Sequence, residues 1–475
     1  MSPADIARPD SEAPRLTTMS RVVWPLIVAC TLIAAGYAFP ATQMDWLLPA
    51  VLGIACFAAV FAMIPIPGLL LSPLPWFLLT YGLYFGIGPA IYPVLSVDAK
   101  AYLDAFFQFS DYWARKTNVL NIVGLIVVLV SFSLVSGDRG AGGSSPVRSP
   151  ALAERLEKRV LVLCLLVGYG LKALNPPGAP DSAAYVSGVL GSLENLAWAA
   201  LALLAYFVAR GEWKLMWIFV PVLALEAKLA VESLSKLEIL TVGMFVFAGV
   251  LWARPSRSLL AIAVGGAVFV LAAIQPLVSL GRLAQRGTGA TVSAGDLVAV
   301  VRRSPDLLNE LESRASSSGL TRISYGPSQA FAMDRYDRGL TGDTFRGILF
   351  VYIPRVVWPG KPIMTPGAAF NDLALGNPQS QSAPGAMAEA YWNGGWPYVV
   401  LAAVFIGALF GGFSRYLLPA ISAGDARWVP AASVMMITAR GPDMWFVANF
   451  VGSLSYTVLM LVVAFALIPY PRQHA

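Results

Sequence analysis

The sequence predicts an all-α polytopic membrane protein of about 12 transmembrane helices, with 11 as the alternative count. The composition points there first: 57% of the 475 residues are hydrophobic, 13% are charged, and the mean hydropathy is +0.67. Apolar runs of about 20 residues, the length needed to cross a bilayer, recur along the chain. The cations fall on alternate connections between those runs, as the excess of Lys and Arg on cytoplasmic loops requires. The net charge of +6 is accounted for in the same way, and no basic helix or aromatic-basic module points to nucleic acid. Cys30, Cys56 and Cys164 lie inside apolar runs and read as small core hydrophobes. The single histidine is His474, which excludes histidine triads, zinc sites and a histidine base within the fold.

Residues 1–21 are polar and proline-containing and read as a disordered cytoplasmic tail leading into a retained first span. Apolar runs follow at 22–39, 46–64, 73–95, 117–135, 160–174, 185–209, 214–232, 237–252, 258–280, 397–417, 428–440 and 445–468. The first nine form an N-terminal bundle over 22–280, interrupted by a Gly/Ser-rich linker at 136–150. The run at 428–440 is short and ends at Arg440-Gly441-Pro442, so a half-helix there would change the parity. Arg8, Arg15, Arg21, Arg139, Arg148, Arg155, Lys158, Arg159, Arg210, Lys214, Arg254, Arg257, Arg427 and Arg472 all fall on one side if the N-terminus is cytoplasmic. This places the C-terminal tail, 469–475, in the cytoplasm; in a Gram-negative cell the membrane would be the inner one.

Residues 281–396 then form one large loop on the outer, periplasmic face, and loops of this length are usually functional. The loop holds ten arginines and one lysine against nine carboxylates, a balance suited to bidentate binding of phosphate or carboxylate. Within it, "SPDLLNELESRA" reads as a short surface helix capped by Ser304. The ribbon "IPRVVWPGKP" is held rigid by its prolines, and Pro359-Gly360 suits the centre of a type II turn. Such a ribbon presents Arg355, Trp358 and Lys361 together, either to a diphosphate flanked by sugar or to lipid headgroups at the membrane interface. Glu389, in "GAMAEAYWNGG", is the only carboxylate between Asp372 and Asp425. It reads either as a general base among aromatics or as a helix-entry carboxylate bonded to the loop. Asp334 and Asp337 compete for the base role, or pair with Arg335 and Arg338. Within the spans, Lys228, Glu232 and Lys236 share a helical face if that helix continues, and Glu226 and Lys228 lie deepest. Lys236, Arg440 and Asp443 would emerge on the outer side.

"IPRVVWPGKP", "GAMAEAYWNGG" with its following helix, "YGLYFGIGPAIY" and "SKLEIL" together resemble the Wzy-type oligosaccharide repeat-unit polymerases of bacterial O-antigen and exopolysaccharide assembly. The resemblance covers most of 73–415 and is densest from Arg322 to Trp396; Gly360 stands where relatives often carry an acidic residue. It implies a fold like that of the GT-C-like polymerases and ligases. It also implies transfer of a growing glycan from undecaprenyl diphosphate onto the next lipid-linked repeat unit, without a cofactor. No Asp-x-Asp motif is evident in the loop, so arginines are expected in place of a metal. Carried onto this chain, the resemblance assigns Arg355 and Lys361 to the diphosphate and Glu389 to the base. It gives Arg322 and Arg338 to substrate contact, and Tyr325, Trp358 and Tyr391 to sugar stacking; Asp334 in the loop and Lys236 and Arg440 at the outer ends of spans are further candidates for substrate contact. Membrane lipids, and chain-length-control and export proteins, are the implied partners; nucleic acid is not. A glycan ligase uses the same donor, though ligases of this type commonly rely on a loop histidine that is absent here. A flippase for the lipid-linked oligosaccharide would spread polar residues through the spans.

Overall fold

The computed structural model describes residues 16–39, 44–66, 68–137, 150–174, 192–233, 236–267, 321, 323–353, 358, 360–361, 366–378 and 382–469. The described chain is all-helical, at 84% helix with no strand. Its helices are α1 (Leu16–Gly36), α2 (Met44–Met63), α3 (Pro73–Val94), α4 (Val97–Asp104), α5 (Asp111–Ser136), α6 (150–174), α7 (Asn195–Ala209) and α8 (Met216–Glu232). They continue as α9 (Lys236–Ala253), α10 (Arg257–Ala267), α11 (Gly326–Asp337), α12 (Pro366–Leu375), α13 (Ala386–Ser422), α14 (Val429–Ala439) and α15 (Phe446–Leu467).

Five of these, α2, α3, α5, α13 and α15, are long and apolar enough to cross a membrane; α7, α9 and α10 are shorter apolar helices. The described parts of the apolar runs are largely helical, and among the described residues five helices qualify as spans by length and composition. "ILFVYI" forms only the short helix Ile348–Val351, and the surface helix expected over 304–315 lies outside the described residues. All three cysteines are buried and free.

One apolar core runs from Met19 to Ile468, so the helices on either side of 281–396 share a single interior. In lipid, helices associate by close packing, which glycine permits by letting backbones approach. Gly407 and Gly411, a GxxxG pair on α13, face α5; a Cβ at Gly411 would lie 2.7 Å from the Phe132 carbonyl oxygen. Gly86 of α3 meets α2 similarly, its Cβ position only 2.5 Å from the Gly53 Cα. α14 is buried along nearly its whole length, a short central helix flanked by α3, α7 and α15.

The helix ends sort into two groups. At one end, Arg115 grips Asp45 with bonds of 2.9 and 3.2 Å, Ala386 N–H donates to the Pro442 carbonyl at 3.0 Å, and α11 docks. At the other, Ser72 and Ser414 share a 2.8 Å hydroxyl bond, Arg210 meets Glu157 at 3.4 Å, and Arg427 reaches the Ile468 carbonyl at 3.4 Å. The charge ladder expected along 228–236 stops short: α8 ends at Glu232, which Lys228 approaches at 3.8 Å. Glu226 turns inward instead and pairs with Lys172 of α6 at 2.5 Å.

Candidate functional site

α11 begins at Gly326-Pro327, where proline is tolerated because its missing N–H has no helical partner. It seats on the first turns of α5 and α13, the Gly326 Cα packed so tightly on Phe109 that a Cβ would lie 2.5 Å from the ring. A buried reciprocal amide pair fixes its register: Asn121 and Gln329 each donate to the other at 2.9 Å. The Tyr81 hydroxyl donates to the Asn121 carbonyl at 2.5 Å. Buried polar groups matched in this way lock one docking geometry, because any slip leaves amides unpaired.

At the C-terminal end of α11, Asp337 forms an ion pair with Lys116 and accepts the Tyr391 hydroxyl at 3.0 Å. The Lys116 ammonium lies 5.0 Å from the Trp113 ring, 5.4 Å from Tyr391 and 5.9 Å from Tyr112, within cation–π range. Lys116 was not among the candidates read from the sequence. Its aromatic neighbours three and four residues earlier, Trp113 and Tyr112, put cation and rings on one helix face and were a usable signal. Asp334 pairs with Arg338 one turn on at 2.8 Å, and Arg338 is mostly exposed.

Glu389 lies in the first turn of α13 and is wholly buried. One carboxylate oxygen accepts the Phe446 N–H at the start of α15, which satisfies an orphan helix donor and favours the dipole. The other oxygen has no partner among the described residues. Four residues on, Asn393 donates to the Thr344 hydroxyl and the Glu389 carbonyl, each at 2.8 Å, and accepts the Phe345 N–H at 3.1 Å. Immediately after it α13 kinks: Gly395 has φ +65°, where an L side chain is strained, and a Cβ there would sit 2.7 Å from the Tyr336 hydroxyl.

The turn between α14 and α15 carries the two groups of most chemical interest. The Tyr325 hydroxyl donates to Asp443 at 2.7 Å. Burial raises the Asp443 carboxyl to about 6, against the opposing pull of that hydrogen bond and of the Arg440 charge. Arg440 donates to the Leu237 carbonyl at 3.1 Å, and no described carboxylate lies within salt-bridge distance of it. Its side chain lines a cavity of about 260 Å³ bounded also by Leu237, Gly441, Met444, Trp445 and Asn449. A guanidinium with spare donors in a partly apolar recess is suited to an oxyanion such as a phosphate ester.

No family model, curated protein or solved structure matches this chain. The site therefore stands on its own geometry.

Other residues singled out from the sequence lie elsewhere or have other partners. Arg322 and Arg355 fall outside the described residues, as does the side chain of Lys236, whose backbone opens α9 beside Arg440's acceptor. Lys361 turns its ammonium onto the carbonyls of Ile353 at 3.1 Å and Val351 at 3.4 Å, where it satisfies the end of a short helix. Trp358 packs edge-on against Phe350, with ring centroids 5.3 Å apart. The Lys361 N–H closes a turn onto the Trp358 carbonyl at 3.0 Å, yet Gly360 does not occupy the left-handed region. The turn is therefore not type II, which needs positive φ at its second central position. Among the described residues no three His, Cys, Asp or Glu side chains converge as a metal site would. The arrangement brings together Tyr325, Asp443 and Arg440 in one group and Tyr391, Asp337 and Lys116 in another, both at the same end.

Proposed function

We propose that this chain is a membrane glycosyltransferase of the Wzy type. It extends a glycan by moving it from undecaprenyl diphosphate onto the next lipid-linked repeat unit at the outer face of the inner membrane. The observation that carries this reading is Arg440, a guanidinium with no carboxylate within salt-bridge distance among the described residues, set in a cavity at one end of an apolar bundle. The reaction must stabilise negative charge growing on a departing diphosphate, and a preorganised cation in a low-dielectric recess does so effectively. The aromatic-rich cluster of Trp113, Lys116, Asp337 and Tyr391, at the same end, offers ring faces and charged hydrogen-bonding groups of the kind a sugar uses.

Twelve alternating spans, with both termini cytoplasmic, are consistent with the sorting of the helix ends. Residues 39–46, 95–117, 325–345, 385–397 and 440–446 belong to the outer side in that scheme, and those described among them gather at the α11 end. The cation-bearing connections around Lys158, Arg210 and Arg427 gather at the other. The resemblance of "IPRVVWPGKP" to the polymerases supplies the reaction class.

The test is elongation by purified protein of lipid-linked repeat unit extracted from the cell that makes it, in excess EDTA, with products resolved by size. A ladder of lengthening glycans supports a metal-independent polymerase. A single transfer of whole glycan to a non-repeat acceptor indicates a ligase, and transbilayer movement without a new glycosidic bond indicates a flippase.

A further inference from the structure

We infer that Asp443, and not Glu389, is the carboxylate that takes the acceptor's proton; the inference rests on the glycan-transfer reading above. Most described carboxylates at the α11 end are already committed. Asp45 is gripped by Arg115, Asp337 by Lys116 and Tyr391, and Asp334 by Arg338. Asp343, Asp372 and Glu238 are exposed to solvent, and the Glu238 charge acts on Arg440. Two buried carboxylates remain, and they differ in access. Glu389 is 0% exposed, and one of its oxygens is spent on the first turn of α15. A substrate hydroxyl could reach it only if the helix start packed on it, at Phe446, moved away.

Asp443 retains 7% exposure and lies in the turn three residues after Arg440. One of its oxygens takes the Tyr325 hydroxyl; the other accepts nothing from another described residue. The charged and titratable groups that act on it come from three elements: Tyr325 ahead of α11, Arg440 at the end of α14 and Tyr84 on α3. Burial outweighs Tyr325 and Arg440, so the carboxyl titrates near 6 rather than in the usual carboxylate range. It is consequently ionised at neutral pH while remaining a stronger base than an ordinary aspartate, as general-base catalysis favours.

In the step proposed, the acceptor hydroxyl gives its proton to the free Asp443 oxygen as its own oxygen bonds to the anomeric carbon. The bond from that carbon to the diphosphate oxygen breaks, and the electron pair leaves with undecaprenyl diphosphate beside Arg440. Asp443 then releases the proton to water. Tyr325 acts as a positioning residue that holds the carboxylate and limits how far its affinity for a proton rises.

The experiment is a pH–rate profile of elongation for full-length protein, with undecaprenyl diphosphate as the binding probe. Wild type is expected to lose rate about tenfold per pH unit below about 6. Asp443→Asn, nearly isosteric, should reduce turnover by about 10²–10⁴-fold while probe affinity stays within about twofold. Tyr325→Phe removes a bond that favours the anion, so the ascending limb should move to higher pH. Elongation by Asp443→Asn with the wild-type limb would overturn the assignment. Should that variant be recovered unfolded, a limb unmoved by Tyr325→Phe overturns it instead. Wild-type protein that elongates at no pH overturns the glycan-transfer reading itself, a separate outcome.

Discussion

Two arginines bracket α14, and their surroundings are opposite. Arg427, just before the helix, is 2% exposed and holds Asp425 with paired bonds of 2.9 and 2.8 Å. Its remaining reach is taken by the Ile468 carbonyl and by the Phe465 ring, 4.1 Å away. Arg440, just after the helix, has one carbonyl bond and faces a cavity. Both are cations at the edge of an apolar core, so composition alone ranks them equally. Their difference lies in saturation. A guanidinium whose donors are met by the protein holds structure together, whereas one with donors left over is set up to receive something.

The sharpest way to break this contrast is Arg427→Ala. It removes both side-chain bonds to a buried Asp425 and should cost about 3–5 kcal/mol, read as loss of folded protein in a detergent melting experiment. A variant as stable as wild type would show that Arg427 is not the structural member of the pair. Arg440→Ala should behave inversely. Its melting temperature should barely change, while affinity for undecaprenyl diphosphate falls about 10–150-fold, the loss of one charged hydrogen-bonding group of about 1.5–3 kcal/mol. Arg440→Lys should recover only part of that affinity, because an ammonium cannot bind two oxygens side by side.

Gly407→Leu tests the scaffold rather than the site. Overpacking the α5–α13 crossing should cost about 1–3 kcal/mol and lower the melting temperature without changing the specificity for the lipid. The smallest expected effect is that of Lys116→Ala. Its pair with Asp337 is partly exposed, so about 0–1 kcal/mol should be lost overall. The change should appear locally, as faster hydrogen exchange at the end of α11.

Much of this architecture was legible in the sequence, because the helical elements are carried by local apolar runs. The runs at 46–64, 73–95, 117–135 and 445–468 each coincide with a helix to within a few residues. The brevity of 428–440 was also readable, since α14 ends where Gly441-Pro442 stops it. What the sequence withheld was pairing. Whether Arg440 is free or bonded depends on Leu237, 203 residues away, and Asp443 on Tyr325, 118 residues away. The ribbon around Lys361 meets the same limit. Its prolines signal rigidity, but a rigid cation can satisfy its own backbone as readily as a guest, and Lys361 bonds the carbonyls of Val351 and Ile353. The glycine-assisted crossing of α5 and α13 was written as a GxxxG pair at Gly407 and Gly411, a signal available to periodicity and not drawn from it.

α14 has only 11 residues, about 17 Å of helix against a hydrocarbon layer of about 30 Å. Its sequence, VPAASVMMITA, is apolar but supplies too few residues to cross that layer. Such a segment cannot partition into a bilayer by itself during synthesis. It enters as a passenger, held between α3, α7 and α15 once those are in place. Biogenesis must therefore wait for the C-terminal helix. A ribosome stalled before Phe446 leaves the segment that bears Arg440 without its berth, so the last helix made completes assembly and the anion recess together.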